Sequence, residues 1–467
     1  MSAVDELIAL ARSPDPFRNA PDNLADLQLD AARERFAERR QQITVLDKRA
    51  KEAGIDSIDS LADLVPLLFA HTNYKSYPEA FVDNGQWKHM NMWLGTLSSH
   101  ATDNIDVTDV RDIDEWLDRA RAAGHHVFAS SGTSGKSSFL NQSTQDRDLS
   151  LAACLAAADL STPAYVPDHS RSVFTMMPPR GTHKMIEFCN VHFPRWAAPG
   201  EFHRLSYYPM RAFDAMRPAQ LRRLLAAGKV GPGEIAAYEA EVEARQQTRA
   251  GEFDAWMDLL VSRRDRPLYI GVMYGVAWQI VQALRARGIE DGDFHPDTLM
   301  SFGGGTKGAA VPADYKEQIM GFFGVTPDRI TSSYAMVEMS GFCAKIQPTE
   351  SYAVPPWIIP LILDKPGEKL LGTTMDTGRV EGRMAFFDIL ADGRWGGIIS
   401  GDKVQVEFGS GLEGVKTPVV HAITRYADLE EGEDKLSCAG SIDSYVRGSI
   451  TSPQPVAART TGGRHAA

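Results

Sequence analysis

The sequence has few cysteines and no excess of positive charge. Its four cysteines, Cys154, Cys189, Cys343 and Cys438, lie far apart, and none belongs to a C-x-x-C pair. This spacing excludes a disulfide scaffold or a zinc ribbon and fits the reducing environment of the cytoplasm. The formal net charge is −12, so the chain lacks the basic field that a nucleic-acid partner would require.

Long apolar stretches are missing as well. The longest run, from Val354 to Leu363, contains three prolines, and it is too short to span a bilayer. The first residues, Met1 to Glu6, lack the basic and apolar regions of a signal peptide. We therefore expect a cytoplasmic protein without a membrane span.

The chain is long enough to bury a large core. With 467 residues, of which 43% are hydrophobic and 24% charged, it has the composition of a globular protein that exceeds one ordinary domain. Residues 173–177 and 267–272 are typical of buried strands, and residues 276–287 are typical of a helix. Strands that alternate with helices predict an α/β protein with a mostly parallel sheet flanked by helices.

The pattern of residues changes along the chain. From residue 383 onward short strands are expected, because apolar Val404, Val406 and Phe408 alternate with polar residues. The last residues are rich in Ser, Pro, Gly, Thr and Arg. We therefore predict four regions: a helical region packed on the main body (1–120), an α/β core (121–382), a β-rich subdomain (383–450) and a mobile tail (451–467).

One stretch is conspicuously small and hydroxylated. After an apolar strand at 126–129 come Ser130, Ser131, Gly132, Thr133, Ser134, Gly135 and Lys136. Glycines let the backbone turn tightly and bring N–H groups close to an anion, while hydroxyls and a lysine add donors and charge. These residues are therefore a predicted phosphate-binding loop.

The loop differs from a Walker A loop in two ways. The Walker pattern would need glycine at position 130, which is Ser130. A Walker loop also opens directly into a helix, whereas residues 139–144 look like a second strand and helix signals begin only near Asp146. A P-loop kinase is thus a less favoured interpretation of the loop. A plain Ser/Gly surface turn without a ligand is a second alternative.

The loop instead resembles the Ser/Thr-Ser-Gly-Thr-Thr/Ser-Gly phosphate loop of the adenylate-forming superfamily. Those enzymes use ATP to convert a carboxylic acid into an acyl-adenylate and pyrophosphate. A second glycine-rich turn, at residues 301–308, resembles the Gly-Gly-Gly-x-Lys segment of long-chain fatty acid–protein ligases and contains Gly303, Gly304, Gly305 and Lys307. The resemblance implies that this turn borders the nucleotide base.

Thr331 to Met339 resembles the superfamily's Tyr-Gly-x-Thr-Glu motif. The resemblance implies that Tyr334 stacks on adenine and that Glu338 helps to hold Mg²⁺, which favours oxygen ligands. Ala335 and Val337 stand where the motif has Gly and Thr. The hydroxyl that would touch the α-phosphate from position 337 is therefore absent.

Two aspartates compete for the role of ribose ligand. Asp402, preceded by an apolar strand and Ser-Gly, resembles the Thr-Gly-Asp motif, and Asp428 lies in a similar segment. A carboxylate suits the task because it only accepts hydrogen bonds and can accept two. Each aspartate is followed twelve residues later by a glycine, Gly414 or Gly440, so spacing does not choose. The lead-in favours Asp402.

Residues 440–448 resemble a degenerate form of the hinge that leads into the family's mobile C-terminal lid. Ser441 replaces the hinge arginine, and nineteen residues follow Gly448. The lid is therefore expected to be absent or vestigial, and with it the lid's catalytic lysine. Lys307 is the predicted substitute and, with Glu338, a predicted catalytic residue. His183 lies where the family often places an acyl-site residue, although a hydrogen-bonded histidine is the favoured reading.

Taken together, the motifs resemble the fatty acid–protein ligase and phenylacetate–CoA ligase branches of the superfamily. The resemblance implies ATP- and Mg²⁺-dependent activation of a fatty or aryl acid in the α/β core. Acyl transfer to a thiol or amine would follow, with coenzyme A or a carrier or partner protein as candidate acceptors. The alternative is a non-catalytic relic of the same fold that binds nucleotide or acyl groups.

Overall fold

The computed structural model describes residues 1–129, 136–306 and 309–429, with the side chain of His71 excepted. The predicted loop residues Ser130 to Gly135, the predicted catalytic residue Lys307, Cys438 and the predicted hinge and tail lie outside these ranges.

The helices and strands of the described residues alternate along much of the chain. The α-helices are α1 (Ala3–Ala11), α2 (Leu24–Gln42), α3 (Thr44–Ala53), α4 (Glu79–Asp83), α5 (Trp87–Leu97), α6 (Ile113–Ala122), α7 (Thr144–Ser161), α8 (Lys184–His192), α9 (Ala212–Ala226), α10 (Pro232–Ser262), α11 (Tyr274–Ala286) and α12 (Tyr315–Phe323). Short 3₁₀ turns cover Leu61–Leu67, His71–Lys75, Phe193–Arg195, Pro327–Arg329, Leu412–Gly414 and Tyr426–Asp428. The strands are β1 (Phe69–Ala70), β2 (Phe128–Ala129), β3 (Phe139–Leu140), β4 (Arg171–Thr175), β5 (Ala197–Arg204), β6 (Leu268–Val272), β7 (Leu299–Phe302), β8 (Ile330–Tyr334), β9 (Cys343–Lys345), β10 (Tyr352–Ala353), β11 (Ile358–Leu363), β12 (Leu370–Thr373), β13 (Gly378–Asp388), β14 (Gly397–Phe408) and β15 (Val419–Arg425).

Most strands belong to one large sheet. Its order is β12-β11-β13-β14-β15-β10-β9-β8-β7-β6-β4-β5, and β1 pairs with β14. The α/β class is thereby confirmed. The parallel part is smaller than the sequence predicts, however, because among the described strands it consists of β5, β4, β6, β7 and β8 and of the short pair of β1 with β14. From β9 to β15 the strands that pair with one another are antiparallel.

The parallel strands are buried on both faces. Every residue of β4 and β6 is buried, as expected where helices cover both sides of a parallel sheet. In β14 the alternation predicted from Val404, Val406 and Phe408 is confirmed, because all three side chains are buried beside half-exposed neighbours. The strand predictions at 173–177 and 267–272 and the helix prediction at 276–287 are each confirmed within two residues.

Helix α2 is hydrogen-bonded to segments more than 300 residues later in the chain. The side-chain amide of Gln28 donates to the carbonyl of Pro356 at 2.7 Å, and the guanidinium of Arg35 donates to the carbonyl of Ile389 at 2.9 Å. The N-terminal helices therefore pack against the antiparallel strands. The proposed boundaries at 120, 382 and 450 stay predictions, and strand β13 crosses the second of them. None of the helices in the described part of the chain has the length and apolar character needed to cross a bilayer.

Candidate functional site

A cavity opens at the carboxyl ends of the parallel strands. Its lining includes Thr175 of β4, Val272 of β6, Phe302 of β7 and Ser332 of β8, and the space within it, counted out to open solvent, is about 620 Å³. In open α/β sheets ligands bind in the crevice outside these strand ends. The glycine-rich turn and the Tyr334 motif leave from the same edge, because β7 and β8 are neighbours with Phe302 opposite Ser332.

The flanks of the phosphate loop have the predicted strand–loop–strand form. Phe128 pairs with Leu140 and Ala129 with Phe139 in an antiparallel ribbon. Helix α7 begins only after Ser143, whose hydroxyl accepts from the backbone N–H of Asp146. A Walker A loop would enter its helix directly, so the structure argues against a P-loop NTPase.

Lys136, at the end of the loop, already has protein partners. Its ammonium donates to the carbonyl of Tyr77 at 2.7 Å and lies 4.6 Å from the centre of that residue's ring. These contacts anchor the returning strand to the 3₁₀ turn region near residue 77. The role of Lys136 in phosphate binding stays a prediction.

Tyr334 and Asp402 come from distant parts of the chain and meet at the site. The hydroxyl of Tyr334, at the end of β8, donates to Oδ2 of Asp402 in β14 at 2.8 Å. Asp402 is held in turn by its backbone N–H, which donates to the hydroxyl of Ser400 at 3.1 Å. Burial, together with the neighbouring carboxylate of Asp402, holds the pKa of Tyr334 well above its ordinary value.

Asp428, the other candidate for the ribose ligand, lies close by but does not contact Tyr334. Asp428 is exposed and ends the 3₁₀ turn that follows β15. Arg425, three residues earlier, is the cross-strand partner of Asp402, and its Nε lies 4.0 Å from Oδ1 of that carboxylate. Both candidates therefore lie near the end of β15, and it is Asp402 that contacts Tyr334.

Glu338 lies in an irregular segment after β8. Among the described residues its half-buried carboxylate has no hydrogen-bond or ion-pair partner. Its backbone is fixed, because the buried guanidinium of Arg394 donates to the Glu338 carbonyl. The next residue but one, Ser340, donates its N–H to Oδ2 of buried Asp388 at 2.8 Å. The segment thus presents a carboxylate that no described residue binds directly, on a firmly held backbone.

The glycine-rich turn leaves open space where side chains would stand. A Cβ placed at Gly303 or Gly305 would meet no atom within 4 Å, so protein packing does not require glycine at either position. Gly304 has φ +68°, a left-handed conformation that favours glycine. Gly303 also lines the cavity. An open backbone surface beside a cavity suits a flat ligand group.

The cavity wall is mostly apolar and aromatic. No Asp, Glu, Lys or Arg is found among its described lining residues, which include Met176, Met177, Met185, Phe188, His192, Phe193, Tyr269, Met273 and Phe342. Phe193 packs directly on the backbone of Gly271, where a Cβ would overlap its ring. Such a wall favours an uncharged, apolar ligand group.

His192 is a deeply buried polar group of this wall. Its Nε2 lies 3.0 Å from the hydroxyl of Tyr269, and its ring stacks on Phe188 with centroids 4.8 Å apart. Burial, with a further contribution from the positive charge of Arg195, lowers the pKa of His192 to about 3. The described part of the cavity wall therefore carries no charge at neutral pH.

His183 acts as the N-cap of α8. Its Nδ1 accepts from the backbone N–H of Met185 at 3.2 Å, which agrees with a hydrogen-bonded histidine. The carbonyl of Thr182, one residue earlier, accepts from the N–H of Ala129 at 3.0 Å. The cap thus lies beside the strand that enters the phosphate loop.

Comparison with known proteins identifies the fold. No protein-family model matches the chain, and no curated protein matches it. Among solved structures, 2-hydroxyisobutyryl-CoA ligase in the postadenylation state in complex with R3-HIB-AMP is similar at 12% identity and a TM-score of 0.52, over 91% of this chain and 73% of that one. The same ligase in complex with 2-HIB-AMP and CoA in the thioesterification state gives 13% identity and a TM-score of 0.50, over 88% and 71%. The chain has the adenylate-forming fold.

Within this adenylate-forming fold, the motifs recognised in the sequence converge only in part. Tyr334 ends β8 and Gly303 follows its neighbour β7, Tyr334 contacts Asp402 in the middle of β14, and Glu338 lies four residues after Tyr334. The cavity wall could not be read from the sequence, because its residues come from α7, α8 and several strands. The one local signal was the aromatic stretch at 188–196, which contains Phe188, His192 and Phe193.

Proposed function

We propose that the protein uses ATP to convert an apolar carboxylic acid, fatty or aryl, into an acyl-adenylate with release of pyrophosphate. The observation that carries this proposal is the contact between Tyr334 and Asp402. A cavity at the ends of the parallel strands, whose described lining has no charged side chain, supports it. An aromatic ring next to a carboxylate suits adenosine, and the cavity suits the tail of the acid. The adenylate-forming fold supports the same chemistry.

Each residue has a proposed task. Ser131, Gly132, Thr133 and Lys136 bind phosphates, with Ser130, Ser134 and Gly135 completing the loop. Tyr334 stacks on adenine beside Gly303, Gly304 and Gly305, and Asp402 holds the ribose. The carboxylate of the acid attacks the α-phosphate in line with the departing pyrophosphate. The protein contributes by positioning the two reactants and neutralising charge.

The residues present fit a magnesium ion. Glu338 offers carboxylate oxygens without a protein partner among the described residues, and Mg²⁺ prefers one or two carboxylates together with phosphate oxygens. Glu338 would hold the ion, which would neutralise charge on the phosphates when bound. Lys307, outside the described residues, is the proposed cation near the reacting carboxylate.

The acyl group would then pass to a thiol or an amine. The cited ligase structure contains CoA, which makes coenzyme A a reasonable first acceptor to test. A carrier or partner protein is the other proposed acceptor.

An exchange assay tests the first half-reaction. The purified protein is incubated with ATP, Mg²⁺, labelled pyrophosphate and each member of a panel of fatty, aryl, hydroxy and amino acids. We expect label to enter ATP with apolar acids and AMP to be the nucleotide product. Binding of ATP without exchange for any acid would instead indicate the non-catalytic relic, and ADP as the product would indicate a kinase.

A further inference from the structure

The segment that carries Glu338 is held from one side by a buried lysine. Lys184, the first residue of α8, is only 5% exposed. Its ammonium donates to the carbonyls of Met336 at 3.1 Å and Gly341 at 3.0 Å, and also to the carbonyl of Met339. An ammonium has three donors and no acceptor, so these three carbonyls satisfy it completely.

This arrangement is unusual for a buried charge. No carboxylate among the described residues forms an ion pair with Lys184, although buried charges are ordinarily paired. Burial lowers its pKa, while the negative charges of Asp388 and Glu338 act in the opposite direction. The hydrogen bonds of the ammonium therefore go to backbone carbonyls of one short segment, residues 336–341.

That segment has no regular secondary structure of its own. Its carbonyls cannot all be satisfied within a helix or strand, and an unsatisfied buried carbonyl is costly. Lys184 satisfies three of them, the indole of Trp357 donates to the carbonyl of Ser340 at 2.8 Å, and Arg394 donates to that of Glu338. Side chains thus supply, for these carbonyls, the hydrogen bonds that backbone N–H groups supply in a helix or a sheet.

The lysine also connects this segment to the cavity. Helix α8 begins at Lys184, and further along the same helix Met185, Phe188, Cys189 and His192 line the cavity wall. The helix that shapes the acid-binding wall is thereby bonded to the segment that presents Glu338.

We propose that Lys184 is a positioning residue that sets the Glu338 carboxylate for magnesium. This rests on the proposed function of Glu338. Groups that orient a metal ligand typically alter metal affinity 10–100-fold when they are removed. The loss of Lys184 should therefore raise the Mg²⁺ requirement and leave the acid-binding wall in place.

The test compares Lys184→Met with Lys345→Met. Lys345 is an equally buried lysine, but its ammonium lies near the carbonyl of Ile330, at the far end of β8, and pairs with Glu350 at 2.9 Å. We expect Lys184→Met to raise the Mg²⁺ concentration for half-maximal pyrophosphate exchange roughly tenfold or more, with little change in KM for the acid. Lys345→Met should keep the wild-type requirement.

Hydrogen exchange provides a readout that needs no activity. In Lys184→Met the amides of residues 336–341 should exchange faster, while those of β8 keep their wild-type rates. If the wild type exchanges no pyrophosphate with any acid, the proposed function fails, and this measurement still decides whether Lys184 holds the segment. Unchanged exchange rates and an unchanged Mg²⁺ requirement in a folded Lys184→Met would overturn the proposal.

Chemical rescue covers the case in which Lys184→Met does not fold. A second, smaller pocket adjoins Lys184 and is lined also by Phe128, Ser150 and Cys154. In Lys184→Ala, propylammonium should restore a low Mg²⁺ requirement, whereas propanol should not, because only the amine carries the charge and the donors. Equal effects of amine and alcohol would count against the proposal.

Discussion

The hydroxyl of Tyr334 and the carboxylate of Asp402 are 68 positions apart in the sequence and 2.8 Å apart in the structure. The bond crosses from the last residue of a parallel strand to an antiparallel one. It therefore joins the two halves of the sheet at the point where the proposed nucleotide site lies. A carboxylate that already accepts from a phenol keeps further lone pairs for a second donor.

The first prediction separates the two ribose candidates. Asp402→Asn should raise the KM for ATP by roughly tenfold or more, because a hydrogen bond to a charged group contributes about 1.5–3 kcal/mol. Asp428→Asn should leave KM nearly unchanged. Tyr334→Phe is the matched control, since it removes the hydroxyl bond to Asp402 but keeps the ring. A larger effect in Asp428→Asn would transfer the ribose role to that residue.

The second prediction concerns Glu338. Glu338→Gln keeps the size of the side chain but removes its charge, and adenylation should fall by about a hundredfold, since one preorganised charge contact is worth about 3 kcal/mol. ATP binding, measured by calorimetry, should persist. Exchange at the wild-type rate in this variant would remove Glu338 from the site.

The third prediction compares two lysines. Lys307→Ala should nearly abolish exchange if that residue supplies the cation beside the reacting carboxylate. Lys136→Ala should act mainly through KM for ATP and through stability, because its ammonium already bonds the Tyr77 carbonyl. A larger loss of kcat in Lys136→Ala than in Lys307→Ala would reverse the two roles.

The sequence predicted features that depend on a few neighbouring residues. The strand–loop–strand form around residue 130 followed from the absence of a helix signal before Asp146, and β2 and β3 confirm it. The family resemblance assigned Tyr334 to adenine and Asp402 to ribose, but it did not predict the hydrogen bond between them. Local patterns carry such information because turns and strands are set by adjacent residues.

Other features required the tertiary structure. His192 and Tyr269 are 77 positions apart, and no spacing in the sequence joins them. The role of Lys184 could not be predicted from the sequence, because the three carbonyls that accept from it belong to a segment about 150 residues later. The antiparallel part of the sheet was underestimated for a similar reason, because apolar strands look alike whether their partners are parallel or antiparallel.

The fourth prediction concerns the contact between Gly271 and Phe193 in the cavity wall. Gly271→Ala would place a Cβ into the ring of Phe193, and overpacking of this kind costs about 1–3 kcal/mol. The variant should unfold at lower denaturant concentration and lose turnover of the bulkiest acids first, as Phe193 is displaced. Adding Phe193→Leu should recover part of both losses. Additive losses in the double variant would show that the two residues do not compete for the same space.

The last prediction uses the low pKa of His192. Its ordinary pKa is 6.5 and its pKa in the folded protein is about 3. Between these values the unfolded chain binds a proton that the folded protein does not, so the free energy of unfolding must fall as the pH falls from about 6.5 toward 3. The slope is about 1.4 kcal/mol per pH unit from this one residue.

His192→Phe should remove that slope, because the ring can still stack on Phe188 but cannot titrate. Denaturant unfolding at pH 6.5 and pH 5 should show the wild type losing about 2 kcal/mol more than the variant over this interval. His100→Ala is a control of opposite sign. A hydrogen bond to Asp392 raises the pKa of His100, so its stabilisation is complete below pH 6.5 and is lost as the pH rises through its folded pKa. Identical acid sensitivity in the wild type and His192→Phe would mean that His192 is protonated in the folded protein and that the cavity wall carries a charge.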